Sequence, residues 1–335
     1  MAGVLLLANP ESKAWEFATK VHEHIISKYY GNTNLNEFPL EPLEIKYFRN
    51  KEFKPHVPKN IRRKEVYFIH DSSLDPSYWW VQLLLIKDML LSASAERLSF
   101  VLPNLLWSRQ DRKDQPHVPI SARAVAESIS QNLRNHSRII TMDLHAAQVQ
   151  GFYNESIPLD NLHSFPVMAS YFIENHPQDL ENLVVVSPDA GGVTRARAFL
   201  HQLIQKTSDK YSSENYSLAI INKLRLGTGE IEVLKLAGEV EGKTALLIDD
   251  IIDSGYTLCE ASDLLKEKGA KKVIGYGTHG LFTEGYDHIF KSLDSVITSN
   301  TMPINDSRVE VIPVDNLFAE AIYRDYKGLS ISELF

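Results

Sequence analysis

Ala245-Leu246-Leu247-Ile248-Asp249-Asp250-Ile251-Ile252-Asp253-Ser254-Gly255-Tyr256-Thr257-Leu258 decides the fold of this chain. Ala245 to Ile248 is an unbroken apolar run, as expected of a parallel strand covered on both faces. Asp249 and Asp250 stand at its carboxyl end, where open α/β sheets bind their ligands. Asp253-Ser254-Gly255 is turn chemistry, and Thr257 opens a helix from Leu258 to Lys268 that stops at Gly269. Such a turn offers backbone N–H groups, hydroxyls and the positive end of a helix dipole, an anion site suited to phosphate. Two carboxylates beside it can accept hydrogen bonds from sugar hydroxyls or hold a hydrated Mg²⁺. Phosphate, sugar and metal in one loop point to a phosphorylated sugar. A strand end with a capped helix would give the same spacing without a ligand.

Outward from this stretch, strands and helices alternate. Val4–Ala8, Ile45–Phe48, Glu65–Ile69, Leu98–Leu102, Leu183–Val186, Leu218–Ile221, Lys272–Gly277, Ser295–Thr298 and Val309–Val314 read as strands. Ser12–Tyr29, Tyr78–Ser94, Phe165–Glu174 and Leu317–Tyr326 read as helices. The alternation implies an α/β fold of doubly wound, mostly parallel sheets. Lys64 to Ile69, followed by an acid and a serine, faintly echoes Lys243 to Asp250. A duplicated α/β domain would produce that echo.

The chain has 335 residues, enough for two ordinary domains, and 44% hydrophobic with 23% charged residues is ordinary globular composition. Forty-three acids against 35 bases give a net charge of −8, which argues against a general nucleic-acid binder. Cys259 is the one cysteine, so no disulfide forms within the chain and a reducing cytoplasm fits. Gly3–Ala8 is too short for a signal peptide, and Val81–Leu91 is broken by Gln82, Lys87 and Asp88, so no membrane span is expected. Gly238 to Thr244 looks like a P-loop ending, but its first glycine is one residue too close and it precedes a strand. No Gly-x-Gly-x-x-Gly follows a strand, so a dinucleotide fold has no support.

Four stretches together resemble a known family. Asp249 to Thr257 resembles the 5-phosphoribosyl-1-diphosphate (PRPP) loop of type I phosphoribosyltransferases and PRPP synthetases, with Tyr256 where the family has glycine. Arg109-Gln110-Asp111-Arg112-Lys113-Asp114, then Val118-Pro119-Ile120 and a helix from Ser121, resembles the ATP loop of PRPP synthetases. Asp143-Leu144-His145 through Gln148, Gln150, Gly151 and Phe152 is similar to the family's Asp-Leu-His-x-x-Gln-x-Gln-Gly-Phe, on a strand read as Arg138–His145. Ser187-Pro188-Asp189 with Gly191-Gly192 is similar to a fourth family segment. Asn222 to Ile231 reads as a hairpin with glycines at its tip; Lys223 and Arg225 alternate along its strand and so share a face. The family has a catalytic Lys-x-Arg there, usually Lys-Arg-Arg, whereas Leu224 holds the middle position here.

The resemblance implies two phosphoribosyltransferase-like domains, 1–160 on the ATP side and 161–335 on the ribose 5-phosphate side. Pro158–Leu162 resembles the family's junction between them, and the last helix could pack back on the first. It implies a diphosphokinase that transfers the β,γ-diphosphoryl group of ATP to ribose 5-phosphate, giving PRPP and AMP. Arg225, Asp249, Asp250, Asp253, Ser254, Gly255, Tyr256 and Thr257 would bind ribose 5-phosphate. Asn50, Lys51, Glu52, Arg109, Gln110, Asp111 and His145 would bind ATP, the first three reaching adenine from a neighbouring subunit. His145 and Asp189 would hold Mg²⁺, and Lys223 with Arg225 would be catalytic. A cytoplasmic homo-oligomer built from dimers into hexamers, with phosphate or ADP regulation, is also implied. Two alternatives stand beside this reading: a phosphoribosyltransferase that consumes PRPP, and a catalytically silent regulatory subunit. Arg109 to Asp114 argue against the first; His145, Lys223 and Arg225 argue against the second, while Leu224 and Tyr256 lean towards it.

Overall fold

A computed structural model of the chain describes residues 3–31, 37–133, 136–225 and 232–334. The chain forms two compact units, one running to His163 and resuming at Val314, the other spanning Ser164–Pro313. The first contains β1 (Val4–Ala8), α1 (Ala14–Tyr30), β2 (Leu40–Pro42), β3 (Glu44–Tyr47), β4 (Phe53–His56), β5 (Glu65–Ile69) and α2 (Pro76–Ser92). It continues through β6 (Arg97–Val101), α3 (Ser121–Ser130), β7 (Ile139–Met142) and β8 (Leu159–Leu162). The second contains α4 (Phe165–Asn175), β9 (Leu183–Ser187), α5 (Val193–Thr207), β10 (Tyr216–Arg225), β11 (Glu232–Ala237) and β12 (Thr244–Ile252). It ends with α6 (Tyr256–Glu267), β13 (Lys272–Gly280), α7 (Ile289–Ser292), β14 (Ser295–Ser299) and β15 (Val309–Ile312), after which α8 (Asp315–Lys327) returns to the first unit.

Each unit is built on one sheet. The order β2-β1-β5-β6-β7-β8 is parallel throughout. The order β11-β10-β9-β12-β13-β14-β15 is parallel except for the antiparallel edge pair β10–β11. In both, the chain steps one way from its first strand and then the other way, so the strand order reverses between β1 and β5 and between β9 and β12. Such reversal points open a crevice at the carboxyl ends of the strands. The doubly wound α/β architecture expected from the alternation is therefore present twice. Its cause is visible in β1 and β9, where every residue is buried because helices cover both faces.

Four local expectations change. β12 runs past Ile248 to Ile252, so Asp249 and Asp250 lie inside the strand. β7 stops at Met142, and Ala147–Phe152 forms a 3-10 turn, so His145 sits in the connection. Pro158–Leu162 contributes an edge strand, β8, to the first sheet. The segment after Tyr47 doubles back, pairing β3 with β4 as an antiparallel hairpin with Asn50, Lys51 and Glu52 at its tip.

The returning helix α8 is fastened by charge. Asp325, with 4% of its side chain exposed, accepts hydrogen bonds from Tyr67 Oη (2.6 Å) and Arg97 Nη1 (2.8 Å), and Arg138 Nε lies 2.8 Å from it. Arg97 also pairs with Glu65 and Arg138 with Asp160. The other side of α8 is held by Glu320, which pairs with Lys28 of α1, and by Phe318 packed edge-on against Phe17. Asp325→Ala leaves two partly buried guanidiniums short of a partner. It should destabilise the first unit by about 2–4 kcal/mol, below the full cost of an orphaned buried charge because Glu65 and Asp160 remain. The chain's four tryptophans, Trp15, Trp79, Trp80 and Trp107, all lie in this unit. Urea unfolding followed by tryptophan fluorescence therefore reads this unit directly, and an unshifted midpoint would remove Asp325 as the fastening.

Candidate active site

The reversal point of the second unit gathers two loops. After β9, Asp189 turns the chain: its Oδ1 accepts from Gly192 N at 2.8 Å and its carbonyl from Ser187 Oγ at 2.7 Å. A Cβ at Gly192 would stand 2.8 Å from Ser187 Oγ, so the tight turn needs glycine. Arg195, on the first turn of α5, reaches across to β12. Its Nη1 lies 3.1 Å from Asp250 Oδ1 and 3.5 Å from Asp249 Oδ1. One guanidinium thus ties the Asp189 turn to both acids. Burial pushes the Asp249 carboxyl up from its ordinary 3.8 to about 7, and the like charge of Asp250 adds to the push; Arg195 only partly offsets them. A pair so placed favours any ligand that brings a cation or donates hydroxyl hydrogen bonds.

Asp253-Ser254-Gly255 then turns into α6. Gly255 has φ +84°, and a Cβ on it would lie 2.5 Å from Ile289 Cδ1. Tyr256 is the first helical residue, absent from the positive-φ positions, with its ring 56% exposed and tilted against His288 at 4.9 Å. The left-handed position therefore falls on Gly255, and tyrosine is accommodated beside it. Among the described residues, no hydrogen bond is made by the amides of Ser254, Gly255, Tyr256 and Thr257. Four adjacent N–H groups left open at the start of a twelve-residue helix form a cradle for an anion. The cradle is braced from behind. His288 Nε2 lies 2.7 Å from Ser254 O, and Thr283 donates to Asp253 Oδ1 through Oγ1 (2.9 Å) and to its carbonyl through N–H (3.1 Å).

Lys223 and Arg225 occupy β10, opposite Leu234 and Glu232 of β11. The expected hairpin tip, residues 226–231 with Gly227 and Gly229, lies outside the described residues.

In the first unit, the arginine-rich loop and the histidine turn meet. Gln148 Nε2 donates to Asp111 Oδ2 at 2.6 Å, linking the loop of Arg109, Gln110 and Asp111 to the turn that carries His145. The loop is pinned to the start of α3, where Ala122 N donates to Gln110 O and Ser121 Oγ to Gln110 Oε1. Arg109, Gln110 and His145 are exposed. Asn50 and Glu52 hydrogen-bond each other at the tip of the β3–β4 hairpin. Among the described residues no three His, Cys, Asp or Glu side chains converge on a metal position.

Residues 9–132 match the family described as the N-terminal domain of ribose phosphate pyrophosphokinase, and residues 217–335 match the phosphoribosyl synthetase-associated domain. The chain is 36% identical over 314 residues to a ribose-phosphate pyrophosphokinase of Wolinella succinogenes, covering 92% of this chain and 94% of that one. It is 38% identical over 309 residues to a ribose-phosphate pyrophosphokinase of Rhizobium meliloti, covering 90% and 94%. The chain belongs to the ribose-phosphate pyrophosphokinase family. The crystal structure of a phosphoribosylpyrophosphate synthetase from Mycobacterium smegmatis superposes with a TM-score of 0.82 at 28% identity, covering 97% of this chain and 99% of that one. The fold is thus that of the family over nearly its whole length.

Three members of this pyrophosphokinase site escape a sequence reading. Arg195 was visible only as one more residue of a helix start; Thr283 and His288 come from a loop after β13, about 30 positions from the turn they brace. No local spacing signals any of them.

Asp249 also yields a pH dependence. Its folded-state pKa lies above the unfolded value, so the folded protein holds this proton more tightly. The associated stability is present at low pH and is lost as pH rises from about 4 towards 7. Asp249→Asn removes that loss. Without ligands, the variant should be more stable than the parent at pH 8, on the order of 1–2 kcal/mol after allowing for the weakened Arg195 pair, with the gain gone by pH 4. Calorimetric melts across this range check it; a constant offset at all pH values would mean the carboxyl titrates normally.

Proposed function

We propose that the chain is a ribose-phosphate diphosphokinase, forming PRPP and AMP from ribose 5-phosphate and ATP. The observation that carries the reading is the open amide cradle of Ser254 to Thr257 directly beside Asp249 and Asp250. Phosphate suits the cradle, and ribose hydroxyls suit the acids. The curated relatives' names and their coverage of both units support the same reaction. On this reading Asp249, Asp250 and Asp253 orient the sugar, and the amides and hydroxyls of Ser254 and Thr257 hold its 5-phosphate, with Gly255 and Tyr256 supplying N–H groups. Arg109, Gln110, Asp111 and His145 hold ATP, with Asn50, Lys51 and Glu52 on the adenine side. A hairpin that serves a neighbouring copy's nucleotide makes the protein a homo-oligomer.

Asp189 and His145 would be the protein contacts of Mg²⁺, which when bound would supply charge neutralisation along the phosphates. The sugar's anomeric hydroxyl attacks the β-phosphorus of ATP in line, and AMP leaves. This chemistry needs alignment and charge stabilisation more than a covalent nucleophile. Lys223 and Arg225 stabilise the charge that grows on the transferring group, with Arg225 also touching the sugar phosphate. Tyr256 does not argue for a silent subunit, because its ring is exposed and its backbone keeps the helical position.

Incubation of the protein with Mg²⁺, ATP and ribose 5-phosphate should yield AMP and PRPP by mass spectrometry. ADP in place of AMP would mean monophosphoryl transfer and overturn the mechanism. Lys223→Ala should lower kcat by at least ~100-fold with little change in KM, as expected when a partner used in the transition state is lost. Near-normal kcat would remove Lys223 from the chemistry.

A further inference from the structure

The first unit carries a second crevice at its own reversal point. The registers of the two sheets coincide: Leu7 of β1 lies opposite Phe68 of β5, and Val185 of β9 lies opposite Leu246 of β12. Aligned on Asn9-Pro10 and Ser187-Pro188, the same offset places Glu11 where Asp189 stands and Asp71 where Asp249 stands. Between the loops after β1 and β5 lies a cavity of about 290 Å³, walled by Phe68, His70, Asp71, Tyr47 and Gln82 and edged by Glu11. Its size is close to the lower end of small-molecule sites, roughly 300 Å³.

The polar groups of this cavity select a ligand. The phosphate cradle of the second unit has no counterpart here. Asp71 takes up the N–H of Lys13 at the start of α1 and both the N–H and hydroxyl of Ser73, and Asp75 caps the N–H groups of Ser77 and Tyr78. With those amides consumed, Glu11 and Asp71 set two acids against the one base, Lys13, in the lining, which disfavours a phosphate. Deeper in the wall two acceptors remain open. His70 is 3% exposed and its Nε2 faces the carbonyl of Trp79 at 3.1 Å, so Nε2 carries the hydrogen. Burial lowers its pKa to about 4, which keeps the ring neutral and Nδ1 a bare acceptor at pH 7. Gln82 is 2% exposed and donates through Nε2 to Tyr47 Oη at 3.0 Å. Among the described residues no group bonds His70 Nδ1 or Gln82 Oε1, and neither atom is among those sealed from solvent without a partner. Two buried side chains thus present unpaired acceptors in the wall of one cavity, beside the apolar faces of Phe68 and Ile45.

We propose that this cavity binds a small uncharged polyol of pentose size, without phosphate, whose hydroxyls donate to His70 Nδ1 and Gln82 Oε1. It is a second ligand site, within the first unit alone and separate from the cradle after β12.

D-Ribose is the probe, titrated into ¹⁵N-labelled protein already saturated with ribose 5-phosphate so that the cradle of the second unit is closed to it. The Gln82 side-chain amide and the His70 ring nitrogens should shift saturably. Gln82→Met, which keeps length and removes the acceptor, should weaken binding about tenfold, the worth of one hydrogen bond to a buried group. His70→Phe should do the same. Inorganic phosphate should leave both signals in place. A crystal soaked in D-ribose should show the sugar in the cavity. Ordered water alone there, or no shift at Gln82 and His70, overturns the site, as does a phosphate-induced shift. Should either variant fail to fold, the parent titration and the soak still decide. The Gln82 and His70 signals report this cavity whether or not ribose 5-phosphate proves to be the substrate after β12.

Discussion

Two adjacent carboxylates meet one guanidinium at the centre of the second unit, and that contact ties the loops of the site together. Arg195 lies within 3.5 Å of both Asp249 and Asp250, yet burial and mutual repulsion still hold the Asp249 carboxyl well above its usual range. A carboxyl raised in this way by burial and a like charge favours hydroxyl donors and cations beside it, so a ligand that brings them relieves a cost already present in the folded state. The same guanidinium fixes the Asp189 turn relative to β12, because Arg195 belongs to the helix that turn begins. The placement of the two acids and the geometry of the loop are thereby one constraint.

The two sheets show how one architecture diverges. Both reverse strand order beside their first strand, and both carry an acid at the equivalent place, Asp249 within β12 and Asp71 just past the end of β5. In the second unit that acid lies beside Arg195 with the amides left open beyond it. In the first, Asp71 takes up Lys13 N and Ser73, and no such open cradle follows. The arginine-rich loop and the histidine turn of the first unit lie one connection over, after β6 and β7, where Gln148 and Asp111 join them.

Apolar runs made the parallel strands legible, because strands buried on both faces leave no alternation to misread. The continuation of β12 through Asp249 and Asp250 was not legible, since charge ordinarily ends such a run; here Arg195 and the pairing with β13 carry it on to Ile252. The short strands β2 and β4 are half-exposed and carry prolines at Pro42 and Pro55, so neither hydrophobic pattern marks them. The amphipathic helix α8 was readable, but its anchoring to Arg97 lies 228 positions away in sequence and is settled by tertiary charge alone. The loops of the site were found by their acids, glycines and turn residues. The links among them were not, because Arg195, Thr283 and His288 act across the fold.

The turn at Gly255 shows why a departure from a family pattern must be weighed by backbone angle rather than by residue type. Two glycine positions abut in such loops, and only one of them is conformationally demanding here. Gly255 takes φ +84° and a Cβ there would lie 2.5 Å from Ile289 Cδ1, so any side chain must both strain the backbone and push the Ile289 side chain aside. Tyr256, one residue on, has entered the helix, where a side chain costs nothing sterically and an aromatic ring can lean on His288. His288 in turn lies against the carbonyl of Ser254, so the tyrosine packs on a residue that already braces the turn. The substitution that looked most damaging to the cradle therefore falls at its one permissive position, and it adds a contact to the outer side of the loop while leaving the amides open.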